Sequence, residues 1–357
     1  MIRTLLPVFA ASLVFVLMCA QIGAQPGAPS GQGAVKKGTL QRIKVHGQLL
    51  EGNLDGDSPD RDVTVYLPPS YAASPDRRYP VLYMLHGFTD NDAKWMGLTK
   101  HWISLSSLMD QGIAAGTCAE MIVVMPNAFT RFHGSLYSSS VVTGDWEGFI
   151  SSELVAYVDG HYRSIAGRNS RGIAGHSMGG YGALRIGMKH PEVFSAVYLL
   201  SPWSMAAPTE KSTFAMAKAA AKISDPAKID GSSFETRSMF ASAAAWSPNP
   251  ENPPFFVDLP VKDGKWQPEV AQKWAANAPL VTVYQYMDNL KSLTALAFDA
   301  GDNDPPITSE ARDLDTILSA YKIPHAFEIY PGDHVNHIAE RVTKKVLPFF
   351  SKHLATQ

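Results

Sequence analysis

Cysteine is nearly absent from this 357-residue chain, which has two, Cys19 and Cys118. Cys19 falls within an almost wholly apolar run, Leu5 to Ala20, that follows the short positive end Met1-Ile2-Arg3. Followed by Gln21-Ile22-Gly23-Ala24, this run reads as an export signal, with cleavage expected after Ala24 and Ala20 as another site. A lipoprotein signal wants a small residue before its cysteine, whereas Met18 precedes Cys19, so release rather than lipid anchoring is expected. Cleavage would leave Cys118 as the sole thiol and no intrachain disulfide. Charge of one sign is also lacking: 31 Lys plus Arg stand against 33 Asp plus Glu, with no basic block interleaved with aromatics. Nucleic acid is therefore not an expected partner. No later segment is apolar enough to suggest a membrane span, no internal repeat is present, and no acidic or histidine cluster has metal-ligand spacing. What remains, 45% apolar and 18% charged, is the composition of a globular protein with a substantial core.

From Gln25 to about Lys37 the chain is Gly, Pro, Ala, Ser and Gln without apolar periodicity, which reads as a flexible leader. The pattern then changes. Gln41 to His46 alternates weakly, Val63 to Leu67 and Val81 to Leu85 read as strands, and Met121 to Met125 is a third buried run after a helix-compatible segment beginning near Lys100. Trp146 to Val158 carries apolar residues at helical spacing. Arg171 to Ala174 enters a Gly-rich turn, Tyr181 to Met188 suits a helix, and Phe194 to Leu200 a strand. Later come a strand at Leu293 to Phe298, a helix at Ser309 to Tyr321, a strand at Ala326 to Tyr330 and a closing helix at Ile338 to Phe350. This alternation predicts an α/β fold with a mostly parallel sheet covered on both faces. The expected organisation is a signal at 1–24, a leader at 25–37 and one domain at 38–357. Within that domain, about 201–278 is looser, with an Ala-rich helical piece near Met216 to Ile223 and a Pro/Trp-rich stretch from Trp246 to Trp266, and reads as an insertion over the sheet edge.

The clearest chemical signal is Gly175-His176-Ser177-Met178-Gly179-Gly180, a G-x-S-x-G pattern between a short apolar strand and a helix. Small residues let the chain turn sharply and present the serine hydroxyl, so Ser177 is the expected nucleophile. Acyl transfer needs donors where negative charge develops. The Met178 N–H just beyond the serine is one, and the Phe88 N–H, in the His86-Gly87-Phe88 loop that closes an earlier strand, is the other. His86 reads as an organiser of that loop. A serine also needs a base, and the base an acid to hold its tautomer. Five histidines follow Ser177; His334, in the Gly-rich stretch Tyr330-Pro331-Gly332-Asp333-His334, is the expected base, with His337 a packing or rim residue. Asp299, Asp302 and Asp304 all qualify as the acid, and residue type alone does not separate them. The two that are not catalytic are expected to be solvated or to cap the next helix.

These residues give the chain a family likeness. Tyr79 to Gly87, Trp146-Glu147-Gly148-Phe149 with Glu153-Leu154, Arg163, the Gly175 to Leu184 elbow and Tyr330 to His334 together resemble the esterase D-like branch of the α/β hydrolases. That branch includes S-formylglutathione hydrolases, feruloyl and acetylxylan esterases, enterochelin esterases and antigen 85-type mycolyltransferases. The resemblance runs from about Val63 to Phe350 and implies an α/β-hydrolase fold. It also implies an acid three residues after a strand-ending glycine, which favours Asp304 after Gly301, with Asp302 as runner-up. Many relatives have a second glycine where this chain has Asp333.

The expected activity is hydrolysis of carboxylic esters through an acyl-serine, with no cofactor and no metal. The substrate would be a small-molecule or carbohydrate-linked ester met outside the cytoplasm, in the periplasm or medium, with feruloyl and acetyl esters as examples. An acyltransferase with the same triad is the alternative reading, and a serine peptidase or a non-catalytic carbohydrate-binding protein on the same scaffold are further ones. Trp203, Trp246, Phe255, Phe256, Trp266 and Trp274 of the insertion are expected either to wall a substrate pocket or to form that segment's own core.

Overall fold

The computed structural model describes residues 35–98 and 103–356. The expected export signal, the leader up to Ala34 and the start of the helix-compatible segment at Lys100 lie outside the described residues. Eight strands form one sheet: β1 Thr39–His46, β2 Asp60–Leu67, β3 Val81–Leu85, β4 Ile122–Pro126, β5 Arg171–His176, β6 Ala196–Leu200, β7 Ala295–Gly301 and β8 Ala326–Tyr330. Their spatial order is β1-β2-β4-β3-β5-β6-β7-β8. The first two pairings, β1 with β2 and β2 with β4, are antiparallel; the rest are parallel. This is the α/β-hydrolase architecture that the sequence predicts.

Strand periodicity explains why both faces are covered. Along β3, Val81, Tyr83 and Leu85 join one core with α2 (residues 146–161), α3 (Met178–Lys189) and α7 (Ile307–Ala320). Leu82 and Met84 face the other way, into a second core with α1 (Leu105–Ala114) and the closing helix α8 (residues 338–353). Every residue of β3 to β6 is buried, as parallel strands with helices on both sides require.

Between β6 and β7 the chain runs from 201 to 294, past the boundary near 278 expected from composition. It contains α4 (Glu210–Ala220), α5 (Phe234–Trp246), α6 (Pro268–Ala275) and a small hairpin pairing Val261–Lys262 with Lys265–Trp266. Thr209 and Ser212 form a capping box at the start of α4, and Ser233 caps α5 by accepting from the Thr236 N–H. Helix α5 is almost entirely buried, so it shows no helical apolar stripe, and composition did not reveal it.

Candidate active site

Sharp turning at the end of β5 begins with close packing. A Cβ added to Gly175 would sit 2.3 Å from the Gly179 backbone, and one added to Gly179 would sit 2.2 Å from the Leu85 oxygen. Only glycine fits at either position. Between them Ser177 takes φ 57° and ψ −116°, a conformation that costs on the order of 1–3 kcal/mol in a non-glycine residue. Its backbone is held at both ends: the Ser177 N–H donates to Leu200 O at 2.9 Å, and Ser177 O accepts from the Trp203 N–H at 3.1 Å. The hydroxyl is thus placed at the N-terminus of the 12-residue helix α3, whose amide dipoles favour negative charge.

The loop after β3 lies against this turn, and a Cβ on Gly87 would be 3.5 Å from Ser177 Cβ. His86 shapes it. The Ala128 N–H donates to His86 Nε2 at 2.8 Å, so the proton is on Nδ1, which donates to Gly87 O at 2.9 Å. Burial pushes this imidazole below its ordinary pKa and keeps it neutral, consistent with an organising role. Among the described residues, neither the Phe88 nor the Met178 amide N–H is used by a hydrogen bond within the chain.

His334 and Asp304 meet at the same sheet edge because the loops after β7 and β8 are zipped together. Asp302 N donates to Tyr330 O at 2.8 Å, Asn303 N to Gly332 O at 2.9 Å and Gly332 N to Asp302 Oδ1 at 3.0 Å. His334 Nδ1 then lies 2.8 Å from Asp304 Oδ2, with Asp304 mostly buried and His334 partly exposed. A carboxylate accepting from Nδ1–H leaves Nε2 with its lone pair, the tautomer a base requires.

The three aspartates differ in partners. Asp302 is spent on the loop zipper. Asp299 is neither solvated nor a helix cap, contrary to expectation: it is fully buried and accepts from Tyr198 Oη at 2.7 Å and Arg341 Nε at 2.8 Å. The reason is its position inside β7, where it neutralises a buried guanidinium from α8. Asp333 accepts from the Val335 and Asn336 N–H groups at 2.9 Å each, and these bonds hold its carboxyl below the usual range. His337 is a rim residue, paired with Glu340 at 2.9 Å.

Aromatics of the insertion divide into two sets. Trp246 and Trp274 are buried edge-to-face, their indole N–H groups donating to Ser138 Oγ and Ser247 Oγ, and Phe255 stacks on Phe240. These fill the insertion's core, and Trp266 and the partly buried Phe256 pack against it. Trp203 instead stacks on Phe88, centroids 6.1 Å apart, beside the Ser177 turn. Phe234, which composition did not single out, joins them edge-on to Phe88 at 5.3 Å while remaining about half exposed (48%). His176 was also missed; its ring lies 4.7 Å from that of His334. Sequence could have suggested it only through its place beside the serine.

A family profile described as "Putative esterase" matches residues 58–338. Esterase Rv1288 of Mycobacterium tuberculosis is 34% identical over 130 residues, 36% of this chain and 26% of that protein. An endo-1,4-beta-xylanase/feruloyl esterase of Xylanibacter ruminicola is 30% identical over 161 residues, 44% of this chain and 22% of that protein. The matches span about a quarter of these relatives' lengths. Among solved structures, a ferulic acid esterase has the same fold, with a TM-score of 0.64 at 22% identity over 88% of this chain and 98% of that one. The chain belongs to this esterase family of the α/β hydrolases.

Proposed function

We propose that the chain is a serine carboxylic ester hydrolase in which Ser177 is the nucleophile, His334 the general base and acid, and Asp304 the carboxylate that orients it. The observation that carries this reading is the His334–Asp304 hydrogen bond at the strand ends that also present the strained Ser177 turn. Ser177 Oγ attacks the ester carbonyl as His334 Nε2 takes its proton. The negative charge that develops on the carbonyl oxygen is met by the Phe88 and Met178 N–H groups, each such donor being worth roughly 10²–10³ in rate. His334 then protonates the departing alcohol, and water attacks the acyl-serine through the same base.

The substrate we favour is a small acyl or aryl ester, including feruloyl-type and acetyl esters of carbohydrates. Phe88, Trp203 and Phe234 offer an aromatic surface beside the nucleophile. A cleft of about 420 Å³ continues from Trp203, lined mainly by apolar groups such as Met216, Met239 and Trp246, with the hydroxyls of Ser204, Thr209 and Ser242 at its wall. The first 24 residues support action outside the cytoplasm, which N-terminal sequencing of the protein recovered from periplasm or medium would test.

The deciding experiment is turnover of p-nitrophenyl acyl esters and methyl hydroxycinnamates by the protein beside Ser177→Ala. Hydrolysis by the wild type that falls by about 10⁴-fold or more in the variant is the expected result. Equal rates in both proteins overturn the serine mechanism. Product formed only when an alcohol acceptor is added would make the protein an acyltransferase.

A further inference from the structure

We infer that His176 is a positioning residue for the base: it ties the main chain and the ring of His334 to the strand that carries the nucleophile. This inference rests on the assignment of Ser177 and His334 above.

His176 ends β5, immediately before Ser177, and is almost fully buried. On β5 it shares a face with Ala174, which packs in the same core as Ile338 of α8. From there its Nε2 lies 2.8 Å from the carbonyl oxygen of His334. A carbonyl only accepts, so Nε2 carries the proton. The two imidazoles also lie with centroids 4.7 Å apart, their planes inclined at 41°. Main-chain bond and ring contact converge on one residue from one side chain.

The consequence follows from the covalent geometry. Ser177 and His334 are far apart in sequence, and among the described residues the backbone of the His334 loop is zipped to the loop after β7, on the side that presents Asp304, and runs on into α8. That zipper sets the distance from base to acid. It does not set the distance from base to nucleophile, which depends on how the zipped pair of loops sits over β5. His176 supplies that link, one residue from the attacking oxygen. A shift of about 1 Å between reacting groups can cost on the order of 10²-fold in rate, so a rigid link here acts on kcat. Neither the acyl nor the alcohol half of the substrate is needed for the contact, so KM is not the parameter it controls.

Two substitutions separate the bond from the ring. Gln places an amide N–H the same number of bonds from Cα as Nε2, preserving the donor; Phe preserves a flat ring and removes the donor. His176→Phe is expected to lower kcat about 10- to 100-fold with KM within about twofold, and His176→Gln to recover to within about fivefold of wild type. Active sites are counted in each variant by a fluorophosphonate titrant, so kcat is expressed per reactive serine. If the loss lies in the number of titratable sites and kcat per site is unchanged, or if Gln and Phe lose equally, the positioning role is overturned. Should His176→Phe not fold, His176→Met takes its place as the donor-less variant under the same criteria. His334→Ala is measured in parallel. Retained activity there removes the base assignment itself, whereas an inactive His334→Ala beside a fully active His176→Phe removes only the link.

Discussion

At the ends of β3 and β5 backbone packs on backbone: a methyl group on Gly179 would meet the Leu85 oxygen at 2.2 Å, and Ser177 is held at φ 57°. In the 201–294 segment contacts are side chain on side chain, with Trp246 edge-on to Trp274 and Phe255 stacked on Phe240. The first region has one solution for its chain path, and each residue's task is set by steric demands within a few positions. The second has many ways to fill the same volume, and its tryptophans take their tasks from partners distant in sequence. The proposed chemistry sits in the first region, and the second surrounds it with side chains. Substitutions should therefore sort cleanly, with rate lost at the strand ends and stability or substrate preference lost in the insertion.

The sharpest break in that sorting would come from two aspartates five residues apart. Asp304→Asn removes the acceptor that fixes the His334 tautomer and should lower kcat by about 10⁴-fold without unfolding the protein. Asp299→Asn strips a buried charge partner from Arg341 and should cost about 3 kcal/mol in urea unfolding. Its kcat per folded molecule should stay within about threefold of wild type. Reversal of the two phenotypes would assign the acid to Asp299 and dissolve the distinction.

Legibility in the sequence followed the same division. The strands β3 to β8, the turn at Ser177, the organising role of His86 and the choice of His334 rest on local signals: apolar runs, glycine spacing and loop position; the choice of Asp304 over its neighbours rests on the family resemblance. Asp299 could not be separated from its neighbours by type, because its partners Tyr198 and Arg341 come from another strand and another helix. Helix α5 was invisible because a helix buried all round has no stripe. Phe234 and His176 were overlooked because their meaning lies in a ring contact across the fold. The signal and the leader up to Ala34 lie outside the described residues, so their reading stays with the sequence.

Two tryptophans test the insertion. Trp246→Ala empties a buried site and should cost about 3–5 kcal/mol in unfolding free energy, with little change in kcat/KM for p-nitrophenyl acetate. Trp203→Ala removes a ring that stacks on Phe88 and should cost no more than about 1.5 kcal/mol of stability. Its mark should be on substrate choice: KM for methyl hydroxycinnamates raised about tenfold, and the acetate ester unaffected. If Trp203→Ala treats both esters alike, the aromatic surface is structural and the aryl preference has no support.

The smallest effect lies at the seam between the regions. Glu147 of α2 pairs with Arg185 Nε at 2.7 Å, and Arg185 Nη1 in turn donates to Asn277 Oδ1 in the insertion at 3.0 Å. Burial alone would raise the Glu147 carboxyl, but the His190 hydrogen bond, the Arg185 guanidinium and the Lys189 ammonium outweigh it and hold the pKa at about 2. A depressed acid contributes stability above its unfolded pKa of 4.5 and loses it as pH falls toward 2. The hydrogen bond to Glu147 raises the pKa of His190, against the effect of its own burial. Its contribution is complete below 6.5 and is lost as pH rises through the raised value. The seam should therefore be strongest between these limits. Glu147→Gln should cost on the order of 2 kcal/mol near pH 6 and flatten both flanks in unfolding measured from pH 3 to 8. A variant that keeps the wild-type pH profile would show that the two regions hold together without this cluster.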